Sequence, residues 1–216
     1  MNTTKKVAII GLGNIGKVVA KNLVKGNRPV IIAGHKPEAA QVYAQELGTL
    51  ATATETVEAI KQADIVVLSV WFSTIKEFMK EYVTELQGKI IVDPSNPIAP
   101  DENGSFKKII GEKESAGQII SSMLPDSAKL AKALGTLSAA SLENSAFQTP
   151  EKAVLFYATD DISINADIEQ LILDNGFEPV RVGGIDQSIR IEVFGDLHEF
   201  GALGKTVTLA EAKGKI

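Results

Sequence analysis

Gly11-Leu12-Gly13-Asn14-Ile15-Gly16 is a G-x-G-x-x-G run set between a short apolar segment, Val7 to Ile10, and a stretch of helical spacing from Lys17 to Lys25. Each glycine answers a different need. Gly11 permits a tight strand-to-helix turn, Gly13 leaves room for a pyrophosphate to approach the backbone, and Gly16 lets the helix pack closely on the strand. The helix N-terminus adds N–H donors and the positive end of its dipole. Alone the motif is weak; a strand before it and a helix after it supply the context a dinucleotide site requires.

The second informative place follows the next apolar run, 29–33, where Gly34-His35-Lys36 stands. A site that prefers NAD carries Asp or Glu here, bonding the ribose hydroxyls and repelling a 2′-phosphate. No carboxylate occurs until Glu38. A small residue, an imidazole and a permanent cation suit a phosphate dianion instead, so the reading favours NADP(H). Further on, Ser69-Val70-Trp71-Phe72 follows the apolar run Ile65 to Leu68, at the sheet edge where a nicotinamide would extend. Ser69 and Asn96 have the polar groups to bond its carboxamide, and Trp71 offers a face for stacking.

No catalytic acid, base or nucleophile stands out. There is no G-x-S-x-G elbow, and the two histidines, His35 and His198, lie far apart. With no cysteine and so few histidines, no metal site is expected. Asp160 and Asp161 read as helix caps, His198 as packed or surface, and Lys132 as either facing the cleft or decorating a strand. A cofactor site without an acid/base constellation fits hydride exchange between two redox cofactors. That chemistry asks for alignment and water exclusion more than for a strong acid.

These residues have to be positioned by a scaffold of 216 residues, 44% hydrophobic and 23% charged, with a net charge of −5. That describes one globular α/β domain. The acidic balance and the lack of a basic block argue against nucleic acid and anionic membranes as partners. Without a signal-peptide pattern or a transmembrane-length apolar stretch, the expected location is cytoplasmic. Strands are predicted at 5–10, 29–33, 49–52, 65–70, 89–93, 129–134, 153–159 and 178–182. Helices are predicted at 14–25, 37–47, 55–62, 74–86, 115–123, 138–145, 163–175 and 187–203. The alternation predicts a Rossmann-type, doubly wound, mostly parallel sheet with ligands at the carboxyl ends of its strands. The chain reads as a single dinucleotide-binding domain, 1–216, in which a strand-helix extension, 151–216, completes an open cleft for a flat acceptor. The stretch from Asp93 to Ser105, broken by Pro94, Pro97, Pro100 and Gly104, is predicted as a long functional loop. The last helix, with Phe194, Phe200 and Leu203, offers either a homodimer surface or a cover for the core.

Taken in order, Gly11 to Gly16, Ala33 to Lys36, Leu68 to Phe72, Val92 to Ile98, Ala131 to Leu137, Ala158 to Asp161 and Asn175 to Val180 resemble the NADP-dependent, F-420-type oxidoreductases. They also resemble the cytoplasmic domain of membrane metalloreductases. The resemblance implies that Gly11, Leu12, Gly13, Asn14, Ile15 and Gly16 hold the pyrophosphate. It places His35 and Lys36 at the 2′-phosphate and Ser69, Val70 and Asn96 around the nicotinamide, with a flavin or F-420 deazaflavin as second substrate; Gly34 and Trp71 join the cofactor-binding set from the reading of the residues themselves. Three departures stand out: His35-Lys36 replaces the usual Ser-Arg pair, Trp71 a common Pro, and Gly135 a common Asn. Two rival readings remain open, a reductase of a small imine or carbonyl with Lys132 or His198 as proton donor, and a protein that senses NADP(H) without turnover.

Overall fold

The computed structural model describes residues 4–216. Its elements alternate as the apolar periodicity requires. They are β1 (Val7–Ile10), α1 (Asn14–Lys25), β2 (Val30–Ala33), α2 (Pro37–Leu47), β3 (Ala51–Ala53), α3 (Thr56–Gln62), β4 (Ile65–Leu68), α4 (Phe72–Glu81) and β5 (Ile90–Asp93). A hairpin of β6 (Ile98–Pro100) and β7 (Phe106–Lys108) follows, then α5 (Ala116–Ser121), β8 (Lys129–Lys132) and α6 (Ala139–Asn144). The chain ends with β9 (Val154–Ala158), α7 (Asn165–Asp174), β10 (Glu178–Gly183), α8 (Ser188–Ile191) and α9 (Leu209–Lys213).

One sheet carries eight of the strands in the order β10-β9-β8-β5-β4-β1-β2-β3. From β8 to β3 every pairing is parallel; β9 meets β8 antiparallel through Lys132 and Ala158, and β10 runs parallel to β9. The fold is α/β, Rossmann-type and mostly parallel. Strand β1 shows why its residues are apolar throughout. Val7 and Ile9 pack into the layer under α1 and α7, while Ala8 and Ile10 pack into the layer with α3 and α4, so all four are buried. A strand covered on both faces has no polar position to alternate with. Order reverses between β1 and β4, which are neighbours with crossovers to opposite sides, and the carboxyl ends of these two strands open the crevice in which such folds bind ligands.

The structure corrects the sequence reading in three places. The stretch after Asp93 holds strands: β6 pairs with β7, and at the turn the Asp101 carboxylate accepts from the backbone N–H groups of Asn103 and Ser105 at 2.8 Å each. The helix expected over 74–86 starts earlier and ends at Glu81. The largest correction is at 187–203, which is not a helix beyond α8. Glu192 turns extended, with φ −86° and ψ 164°, and the chain then folds back on itself. Gly195 and Gly201 make that possible. A Cβ on Gly195 would lie 2.4 Å from the carbonyl oxygens of Ile189 and Arg190, and one on Gly201 would lie 1.7 Å from that of Gly195. Residues 192–201 therefore form a non-helical strap, and the idea of a dimer helix loses its element. Leu203 packs with β9 and β10 as core cover, whereas Phe194 and Phe200 are exposed.

Candidate functional site

At the carboxyl end of β1 the chain is laced to both neighbours. The Gly11 N–H donates to Ala33 O and the Ser69 N–H to Ile10 O, each at 2.8 Å. Gly11 sits at φ +96°, and a Cβ there would lie 2.3 Å from the Ser69 carbonyl oxygen. A Cβ on Gly16 would lie 2.0 Å from Gly11 O. Both glycines are thus required by the chain's own packing. Gly13 differs: a Cβ there would meet nothing within 4 Å, so open space lies in front of its backbone. Gly13 is also the N-cap of α1; no side chain caps this end, and no acidic residue lies in the first turn. The result is an exposed cradle of first-turn N–H groups with the positive end of a twelve-residue helix behind it. These residues fit a pyrophosphate.

The β2–α2 turn lies beside this cradle through the bond from Gly11 to Ala33. A Cβ on Gly34 would meet the Leu12 side chain only at 3.8 Å, and His35 and Lys36 are exposed at the carboxyl end of β2. On the other side, Ser69 and Val70 are half-buried behind the Gly11 turn, and Trp71 is 58% exposed at the start of α4. Asn96 lies three residues past the end of β5 with its amide engaged. Its Nδ2 donates to Gly135 O at 3.0 Å, and its Oδ1 accepts from the Val193 N–H at 2.7 Å. The residues singled out in the sequence thus line one sheet edge, but Asn96 ties three chain segments together there.

Beneath Asn96 is a group of charges the sequence reading did not assemble. Lys132, at the end of β8, is 2% exposed, and its Nζ lies 2.6 Å from Asp93 Oδ2 at the end of β5, where Asp93 is fully buried. Lys132 Nζ also donates to the Ser95 carbonyl, and the Ser95 N–H donates to Asp93 Oδ1 at 2.8 Å. The signal in the sequence is a carboxylate closing an apolar strand and a lysine closing another, three strands later in chain order. Only the β5–β8 register, which pairs Asp93 with Lys132, brings them together. Lys132 therefore does not face the cleft.

Two further carboxylates pin the strap. Glu192, 1% exposed, accepts from the N–H groups of Ala116 and Gly117 at 2.9 Å each, at the start of α5. Glu199 accepts from the Ser138 N–H at 2.7 Å and from the Ser141 hydroxyl, at the start of α6. A carboxylate at a helix N-terminus is favoured by unsatisfied N–H groups and the helix dipole together.

His198 is buried between these anchors. Its Nδ1 accepts from the Phe200 N–H at 2.9 Å, which leaves the proton on Nε2, 3.1 Å from Gly135 O. Burial pushes its pKa down to about 4, against the pull of the Gly135 carbonyl and Glu199. In the unfolded chain a histidine takes a proton near pH 6.5. Between these values the unfolded state binds a proton that the folded state refuses, so stability is kept above pH 6.5 and lost as pH falls toward 4. Denaturation midpoints measured across that window are expected to fall steeply in the wild type and less steeply in His198→Gln. Equal slopes would remove His198 from the account.

Residues 6–97 match the model of the family described as NADP oxidoreductase, coenzyme F420-dependent. That match spans less than half of the 216 residues, and it shows a likeness to the family over this segment. The segment contains β1 to β5, the glycine cradle, the Gly34-His35-Lys36 turn and Asn96. Among solved structures, a hypothetical protein from Sinorhizobium meliloti shares 28% identity at a TM-score of 0.81, covering 94% of this chain and 95% of that one. A protein from Arthrobacter sp. FB24, provisionally named an F-420-dependent NADP reductase, shares 21% identity at a TM-score of 0.73, with coverage of 85% and 87%. That second likeness shows the fold. Among curated proteins, the prephenate dehydrogenase of Lactococcus lactis is 35% identical over 80 residues, 37% of this chain and 23% of its own length. The chain spans about a quarter of the length of the curated relatives it matches. No helix among the described residues is long and apolar enough to cross a membrane, and no group of three or more acidic, histidine or cysteine side chains there could hold a metal.

Proposed function

We propose that the chain is an NADP(H)-dependent oxidoreductase that exchanges hydride with a flat acceptor of the flavin or F-420 deazaflavin class. The reading rests first on the open approach to Gly13 in front of an uncapped helix end. Bound NADPH would supply a hydride from its nicotinamide C4, and the overall exchange takes NADPH, acceptor and one proton to NADP+ and the reduced acceptor. The backbone from Gly11 to Gly16 binds the pyrophosphate, His35 and Lys36 meet the 2′-phosphate, and Ser69, Val70 and Trp71 border the nicotinamide. Asn96 fixes the turn on the far side of that ring. Residues 151–216 complete the cleft by carrying the strap across the ends of β5 and β8.

One observation favours a redox cofactor over a small imine or carbonyl as acceptor. The two side chains that the sequence offered as proton donors, Lys132 and His198, are 2% and 1% exposed and bonded within the chain. A carbonyl reductase needs a donor within hydrogen-bond reach of the developing alkoxide. Exchange between two cofactors takes its proton from water and depends chiefly on ring alignment.

The nucleotide preference is tested on Lys36. A point charge on a phosphate dianion is lost in Lys36→Ala, so the Kd for NADPH is expected to rise about tenfold, or about 1.4 kcal/mol. The Kd for NADH should stay unchanged. Fluorescence titration of both nucleotides checks this, and an equal loss for both would move the 2′-phosphate away from this turn.

A further inference from the structure

The strap is held unusually firmly for a segment without regular structure. Glu192 fastens it to α5, the Val193 N–H to Asn96, His198 to Gly135, and Glu199 to α6. Amid these buried anchors two phenyl rings are left outside, Phe194 at 52% and Phe200 at 57% exposed. Exposure alone does not single them out, since isolated apolar side chains are common on protein surfaces; the backbone does.

The oddity is at Phe194. Its φ is +69°, a left-handed conformation that costs a bulky L-residue free energy and that glycine takes without penalty. A glycine stands next door, yet Gly195 is held by close approach to the carbonyls of Ile189 and Arg190, and the positive φ falls on the phenylalanine. Strain retained where relief is chemically simple points to use, because such residues gather at ligand sites. The position fits that reading. The N–H of Val193, one residue away, bonds the Asn96 side chain in the turn that follows β5. Consecutive Cα atoms are about 3.8 Å apart, so Phe194 stands at the rim of the proposed nicotinamide edge.

We infer that the strap forms the acceptor subsite and that Phe194 is a specificity-determining residue against which the acceptor's ring rests. This rests on the hydride-exchange reading above. Hydride transfer brings the reacting carbons to about 3–3.5 Å, so a planar acceptor has one face toward the nicotinamide and needs support elsewhere. An aromatic ring supplies it by stacking. Trp71, exposed in the loop after the neighbouring strand β4, is the second aromatic of this rim.

The test uses the full chain with Phe194→Gly and Phe194→Tyr, and with coenzyme F-420 and FMN as acceptors. Phe194→Gly relieves the backbone, so its thermal midpoint should equal or exceed that of the wild type, and its Kd for NADPH should be unchanged. Its KM for the acceptor should rise at least about tenfold, a loss of about 1.4 kcal/mol. Phe194→Tyr should keep KM near the wild-type value. A KM unchanged in Phe194→Gly, in a wild type that turns over, overturns the inference and leaves hydride exchange standing. A wild type that binds NADPH but reduces neither acceptor overturns both.

Discussion

Gly13→Ala is expected to abolish most NADPH binding while leaving the fold untouched. The added Cβ meets nothing within 4 Å in the chain, and Gly13 has φ −74°, which alanine adopts freely. The methyl group projects instead into the open space in front of the first turn of α1, where the proposed function puts the pyrophosphate. Losing that approach should raise the Kd for NADPH about a hundredfold, or about 2.7 kcal/mol, with the thermal midpoint within about 2 °C of wild type. Gly11→Ala and Gly16→Ala make the contrast, because their Cβ atoms strike Ser69 O and Gly11 O. Those variants lose stability along with binding. Calorimetry and a nucleotide titration on the three proteins separate a ligand-approach glycine from two packing glycines. A Gly13→Ala protein that binds NADPH normally would place the phosphates elsewhere.

The second large effect concerns the buried pair beneath the site. Lys132→Met removes the partner of a fully buried carboxylate, and the uncompensated Asp93 is expected to cost about 3–5 kcal/mol in urea unfolding. The double variant Asp93→Asn, Lys132→Met removes both charges and should recover most of that loss, because replacing a whole buried pair is far milder than breaking it. Equal losses in the single and double variants would contradict the pairing. Nicotinamide binding in the double variant then reports whether the Asp93–Asn96 turn keeps its shape without the lysine.

The parts of the molecule that were legible in its sequence share a physical basis. β1, β4 and β5 are covered on both faces, so they appear as unbroken apolar runs, and the glycines of the β1–α1 turn are fixed by local sterics that the motif itself records. The strap was not legible. Ile189 of α8 and Val193, Leu197 and Phe200 of the strap recur near helical spacing, yet the pattern reflects a chain folding back over itself. The deciding contacts are long-range: Glu192 to α5 and Glu199 to α6 lie about sixty or more positions away in the chain. Tertiary caps of this kind override local periodicity. For Asn96 the sequence leaves a ligand role and a turn-forming role open; in the structure its amide bridges Gly135 and Val193, a pairing that spacing alone does not encode. The hairpin of β6 and β7 is not legible because each strand has three residues: Pro97 and Pro100 bracket β6, and Phe106-Lys107-Lys108 is too short to show alternation.

The measurement that bears most directly on the central claim is a single anaerobic turnover with NADPH deuterated at C4, on one face and then the other, mixed with the deazaflavin F-420. Carbon-bound deuterium at the deazaflavin C5 survives isolation. One of the two labels should appear there, with NADPH consumed far faster than NADH and with no transfer in Gly13→Ala. Tightly bound NADPH that gives up neither label to the deazaflavin, while a small carbonyl is reduced in its place, would contradict that claim.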